Sequence, residues 1–170
     1  MKKIIILFLV VLVGVSNTTA QVPNSSQSED LKVQINSLST MLGTLQHDYD
    51  YLYCSHEINL MQLEIKELIS NIDIRSNAVL INCYHSRFDI DLYTAYKAYY
   101  SSCIELINTM KGKTKSIQEA VALKMLTSSF TNKENEKLVN NCNFLDVSLS
   151  KLQGSLDYYK LVIDIYKDLR

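Results

Sequence analysis

Four cysteines, Cys54, Cys83, Cys103 and Cys142, are the residues of this chain most able to do covalent chemistry. In an oxidising compartment that chemistry is disulfide formation, and four thiols allow three pairings. Residues that face each other across an antiparallel helical turn have numbers of constant sum. Cys54 with Cys83 therefore implies a turn near residues 68–69, and Cys103 with Cys142 a turn between 122 and 123. Both turns fit one layout, so this pairing is the expected one. The competing reading treats the four as small buried hydrophobes of helix seams, a common use of free cysteine. No C-x-x-C occurs, so a dithiol redox enzyme is not expected.

Metal chemistry has weaker support. His47, Asp48, Asp50, His56 and Glu57 crowd one stretch, and Cys83 and His85 another. Nine residues separate His47 from His56, which puts their side chains on opposite sides of a helix. No Glu-x-x-His pair is present, which removes the four-helix di-iron arrangement. Cys83-Tyr84-His85 lacks the haem-attachment spacing, and His56-Glu57 lacks the second histidine of a zinc protease. There is neither a Gly-rich phosphate loop nor a serine nucleophile elbow. No catalytic residue, metal ligand or cofactor is assigned, and a small metal-binding or enzymatic bundle built on His47–Glu57 is the least supported reading.

Tyrosine is the compositional oddity: eleven residues, against no tryptophan. Rings of this kind fill boundaries between helices while their hydroxyls reach water. Tyr49, Tyr51 and Tyr53 alternate too closely for all three to face one core. Together with Tyr93, Tyr96 and Tyr100 they form the candidate partner-binding surface, since tyrosine is enriched at interfaces.

The elements that position these residues are long helices. Leu138, Cys142, Leu145, Leu149, Leu152, Leu156, Tyr159, Ile163 and Tyr166 alternate steps of four and three, a heptad seam that can be buried only against other helices. Leu31, Ile35, Leu38, Leu42, Leu45, Tyr49 and Leu52 make a second stripe. Cys54, Ile58, Met61, Ile65, Leu68 and Ile72 continue it with shifted phase, a stutter. Phe88, Leu92, Ala95, Tyr99, Ser102 and Leu106 make a third, with Tyr96, Cys103 and Met110 flanking it. Helix formers thin out over 70–77, where a turn is expected, with one unbroken helix as the alternative. Lys111-Gly112-Lys113 reads as a helix C-terminus, and Thr131-x-x-Glu134 as a capping box. The expected helices span about 30–69, 74–111, 116–128 and 132–168. The fold expected is all-α: an elongated antiparallel bundle of three long coiled-coil-like helices plus one short helix. Residues 31–170 form its single domain.

Ahead of the bundle, Lys2 and Lys3 precede an apolar run from Ile4 to Val13 and small residues ending at Ala20. This reads as a signal peptide over 1–20, cleaved between Ala20 and Gln21. The run is too short to span a bilayer, so no transmembrane segment is expected after cleavage. Residues 21–30 read as a flexible tether. Cleavage removes two lysines and no acid, taking the formal charge from −1 to about −3. That balance argues against a nucleic-acid partner, which needs a concentrated basic face.

The sequence thus invests in apolar seams and not in convergent polar groups. It leads to an exported, periplasmic or secreted, non-enzymatic bundle that binds another protein or itself in the cell envelope. A structural or assembly subunit of an envelope secretion or conjugation machine is the alternative, an analogy of architecture alone.

Overall fold

The computed structural model describes residues 25–85 and 88–169, so the expected signal peptide over 1–20 and the start of the expected tether lie outside the described residues. Three helices pack together: α1 (Ser25–His85), α2 (Ile90–Thr127) and α3 (Asn132–Asp168). No strand occurs among the described residues. By contacts the chain divides into two units, Met1–Thr44 and Leu45–Arg170. The described part of the first, residues 25–44, is entirely helical, including Ser25–Asp30 of the expected tether.

In the core of the second unit, α1 and α3 contribute expected seams. On α1 the stripe Cys54, Ile58, Met61, Ile65, Leu68 and Ile72 is buried throughout. On α3, Leu138, Leu145, Leu152, Leu156, Tyr159, Ile163 and Tyr166 are buried, with Cys142 and Leu149 packed against them. Contacts between α1 and α2 pair rising with falling numbers: Asp50 with Lys124, Arg75 with Tyr99 and Asn82 with Tyr96.

Three boundaries differ from the sequence expectation. The turn over 70–77 does not form, and α1 continues to His85. Ser76 sits fully buried in the seam, and its hydroxyl donates to the Ile72 carbonyl at 2.9 Å. Ile72 and Val79, a turn to either side, are also buried. Burial of that face outweighs the weak helix propensity of Ser, Asn and Asp.

The connection lies instead before α2. Asp89 caps α2 by accepting from the backbone N–H groups of Asp91 and Leu92 at 2.8 and 3.1 Å. Its own N–H donates to the Tyr166 hydroxyl at 3.0 Å, so the end of α3 holds the start of α2.

α2 also runs straight through Lys111-Gly112-Lys113, absorbing the separate short helix expected over 116–128. The inward line is Tyr96, Tyr100, Cys103, Ile107, Met110, Thr114, Ile117 and Val121, all buried or packed against the core. It alternates four and three without interruption across the glycine, whereas Leu92 and Leu106 of the expected stripe are exposed. The lysines reach sideways and leave the helix end alone: Lys111 donates to Gln153 at 3.2 Å and Lys113 pairs with Glu64 at 3.1 Å.

α3 opens on the capping box, in which the Thr131 hydroxyl accepts from the Glu134 N–H while the Glu134 carboxylate accepts from the Thr131 N–H.

Candidate interaction surface

The seams leave one heptad stripe without an inward role. Within the first unit Leu31, Ile35, Leu38 and Leu42 are all exposed, Leu38 by 57%. Val33 and Met41 beside them are exposed as well. In the second unit Leu45, Tyr49 and Leu52 are exposed too, and burial on α1 sets in at Asp50 and Cys54. The apolar spacing of Leu31, Ile35, Leu38 and Leu42 matches a helical partner, and all four side chains are exposed. An exposed apolar stripe on a helix is the kind of surface that marks an interaction site.

The six candidate tyrosines separate into two groups. Tyr49 and Tyr53 are exposed and stack on each other, centroids 6.3 Å apart and planes at 19°. Tyr51 turns inward onto Phe130, at 6.0 Å and nearly perpendicular. Tyr93 packs between Phe88 and the Lys97 ammonium. Tyr96 meets the Tyr166 ring at 5.6 Å, its hydroxyl accepts from the Asn82 amide, and its carbonyl accepts from the Tyr159 hydroxyl. Tyr100 packs against the core. Tyr51, Tyr93, Tyr96 and Tyr100 are thus half-buried rings packed against the core, and on α2 this follows from a seam one position off the phase expected from Phe88, Leu92 and Ala95. Missed by sequence reasoning is Tyr84, 84% exposed at the end of α1.

The polar groups of the His47–Glu57 stretch are tied into structure. Asp50 is nearly fully buried and accepts from Lys124 and Ser128, both at 2.8 Å, and from Gln46 at 3.0 Å. Burial pushes its carboxyl up, but donation from Lys124, Ser128 and Gln46 outweighs this and holds it below the usual range. His47 lies 3.0 Å from Asp48 and 3.2 Å from Glu134 and packs edge-on against Phe130. The Asp48 hydrogen bond raises the His47 pKa; burial opposes it and Glu134 adds to it. Glu134 is held low, first by the Thr131 N–H and then by the Thr131 hydroxyl. Among the described residues, no three His, Cys, Asp or Glu side chains come together as a metal site.

A shallow cleft of about 200 Å³ lies between α1 and α2, lined by Tyr53, Cys54, Glu57, Ser116, Ile117, Ala120 and Val121. Its thiol is raised by burial, and the Ser116 hydroxyl in its lining donates to the Gly112 carbonyl.

The four cysteines are free thiols here, and the expected pairing is excluded by geometry. Cys54 and Cys83 share the unbroken α1, where twenty-nine residues rise roughly 43 Å. A disulfide tolerates at most about 7 Å between Cα atoms. Cys142 lies level with Gln118, which donates to its carbonyl at 3.3 Å, four turns along α2 from Cys103.

No described helix is long and apolar enough to cross a membrane. No known family, curated protein or solved structure matches the chain.

Proposed function

We propose that this chain is an exported, non-enzymatic helical bundle that acts through protein–protein interaction in the cell envelope. The observation that carries the reading is the exposed stripe Leu31, Ile35, Leu38 and Leu42, a heptad repeat on a helix whose next stripe is fully used in the core. Such a stripe fits a partner helix of the same period, knob into hole. The interleaved Gln34, Ser39 and Gln46 are uncharged, so they repel no approaching helix of either sign. Support for a non-enzymatic role comes from the polar groups: Asp50, His47 and Glu134 are spent on holding helices and on a cap. Export rests on the Lys2–Ala20 pattern. The antiparallel coiled-coil character of the bundle rests on the opposed numbering of the α1–α2 contacts.

A photo-crosslinking residue placed at Leu38 in the living source cell gives a discrete adduct above monomer mass. The same residue at exposed Lys115 gives none. Equal labelling at both sites, or none at Leu38, defeats the interaction reading. N-terminal peptide mapping of envelope protein tests export separately, and finds Gln21 as the first residue.

A further inference from the structure

We propose that Cys54 and Cys142, free thiols in this structure, form on oxidation a disulfide that ties α1 to α3. The register between these helices is fixed at one end by His47 and Glu134, whose side chains meet at 3.2 Å. It is fixed near the other end by Asp89, just past α1, whose N–H meets the Tyr166 hydroxyl. Residue numbers therefore rise together on the two helices. Cys54 lies seven residues beyond His47 and Cys142 eight beyond Glu134, which is about 10.5 and about 12 Å along the respective axes. The two thiols are at one level.

They also point the same way, into the seam. Cys54 follows buried Asp50 and precedes buried Ile58, while Cys142 lies between Leu138 and Leu145, both fully buried. Both flank the same turn of α2: Cys54 lines the cleft with Ile117 and Val121, and Gln118 bonds the Cys142 carbonyl. After burial, the charge of Cys54 is the next cause raising the Cys142 thiol, as proximity requires. The other two thiols have no such mate. Cys83 is at the far end of α1, and Cys103 is one turn from Tyr99, whose ring meets Tyr159, well along α3 from Cys142.

The oxidant is a disulfide donor such as oxidised glutathione. The half-buried Cys142, as thiolate, attacks one donor sulfur and expels the other as a thiolate. The Cys54 thiolate then displaces the remaining donor half from Cys142. One Cys54–Cys142 bond forms, the donor disulfide is broken, and the two protons from the cysteines end on two donor thiols. Because burial holds both thiols above their ordinary pKa, exchange in the folded chain quickens as pH rises.

The test is incubation of the full chain with oxidised glutathione in mildly alkaline buffer, acid quench, alkylation and digestion without reduction. The expected product is one linked pair of Cys54 and Cys142 peptides, lighter than their sum by two hydrogens, with Cys83 and Cys103 alkylated. Four alkylated thiols, a glutathione adduct at Cys142 without linkage, or a link through Cys83 or Cys103 overturns the proposal. Cys142→Ser supplies a second readout. Reduction lowers the thermal midpoint of the oxidised wild type by several degrees and leaves the variant unmoved; equal sensitivity in both overturns the assignment.

Discussion

Asp50 on α1 and Lys124 on α2 approach to 2.8 Å, with the carboxylate almost fully buried and the ammonium still partly in water. The second carboxylate oxygen accepts from Ser128, the residue at which α2 ends. One acid therefore joins the middle of α1 to the end of α2. Asp50→Ala removes charge-assisted hydrogen bonds of roughly 1.5–3 kcal/mol each in kind. Lys124 can turn to solvent, so the expected loss is about 2–3 kcal/mol, read as a lower urea midpoint at unchanged m-value. The folded pKa of Asp50 is depressed, so its contribution is complete above the unfolded value of about 4 and disappears as acid takes the pH down through the folded one. Acid unfolding of Asp50→Ala should lack that component.

His47 gives the opposite sign. Its folded pKa is raised by Asp48 and Glu134 against burial, so its contribution is complete below the unfolded value of about 6.5 and is lost as pH rises through the folded value. Urea midpoints taken between about pH 5 and about pH 8 should fall with pH for the wild type more than for His47→Gln. Parallel pH profiles would show that the Glu134 contact contributes nothing.

Much of the fold could be read from apolar spacing, because a seam buried on one side leaves a strict period. The α3 stripe from Leu138 to Tyr166 and the α1 stripe from Cys54 to Ile72 are core as their spacing demands. Connections were harder, since local propensity competes there with packing. Ser76 looks like a cap and is a buried seam residue bonded to its own helix; Asp89 looks ordinary and is the cap of α2. On α2, two overlapping 4–3 patterns exist one residue apart, and only burial of Cys103 and Ile107 and the contact of Tyr96 with Tyr166 select the one through Tyr96 and Cys103. The Cys54–Cys83 expectation depends on a turn near 68–69 that does not form, whereas Tyr49 and Tyr53 are exposed. The exposed α1 stripe was legible as a seam, but nothing in its spacing said that no helix of the same chain would cover it.

Gly112 bears on the unbroken course of α2. It lies inside α2, and a Cβ added there meets nothing within 4 Å. Gly112→Ala should therefore stabilise the protein by about 0.5–1 kcal/mol through lower backbone entropy in the unfolded chain. A calorimetric midpoint that drops on this substitution would mean that the helix breaks at Lys111 after all.

Thr114 offers a gain of a different kind. Its hydroxyl is buried without a hydrogen-bond partner in the α2 seam. Thr114→Val keeps the shape and removes the desolvated polar group, so a gain of about 1 kcal/mol is expected in urea unfolding. A loss of that size would indicate a water bound to the hydroxyl.

Leu152 and Leu38 are the same residue type on heptad seams, and the structure gives them opposite duties. Leu152 is fully buried in the α3 seam, whereas Leu38 is exposed on α1. Leu152→Ala removes buried methyls and leaves a cavity, which costs about 2–5 kcal/mol. Leu38→Ala touches no core contact and should stay within about 0.5 kcal/mol of wild type. Function should reverse the order. If the α1 stripe is a docking seam, Leu38→Glu places a charge where a partner helix must exclude water, and the adduct of a neighbouring crosslinker at Leu42 in the source cell is lost while urea unfolding is unchanged. A Leu38→Glu protein that unfolds early would instead show that this stripe is core, and an undiminished adduct would show that partners bind elsewhere.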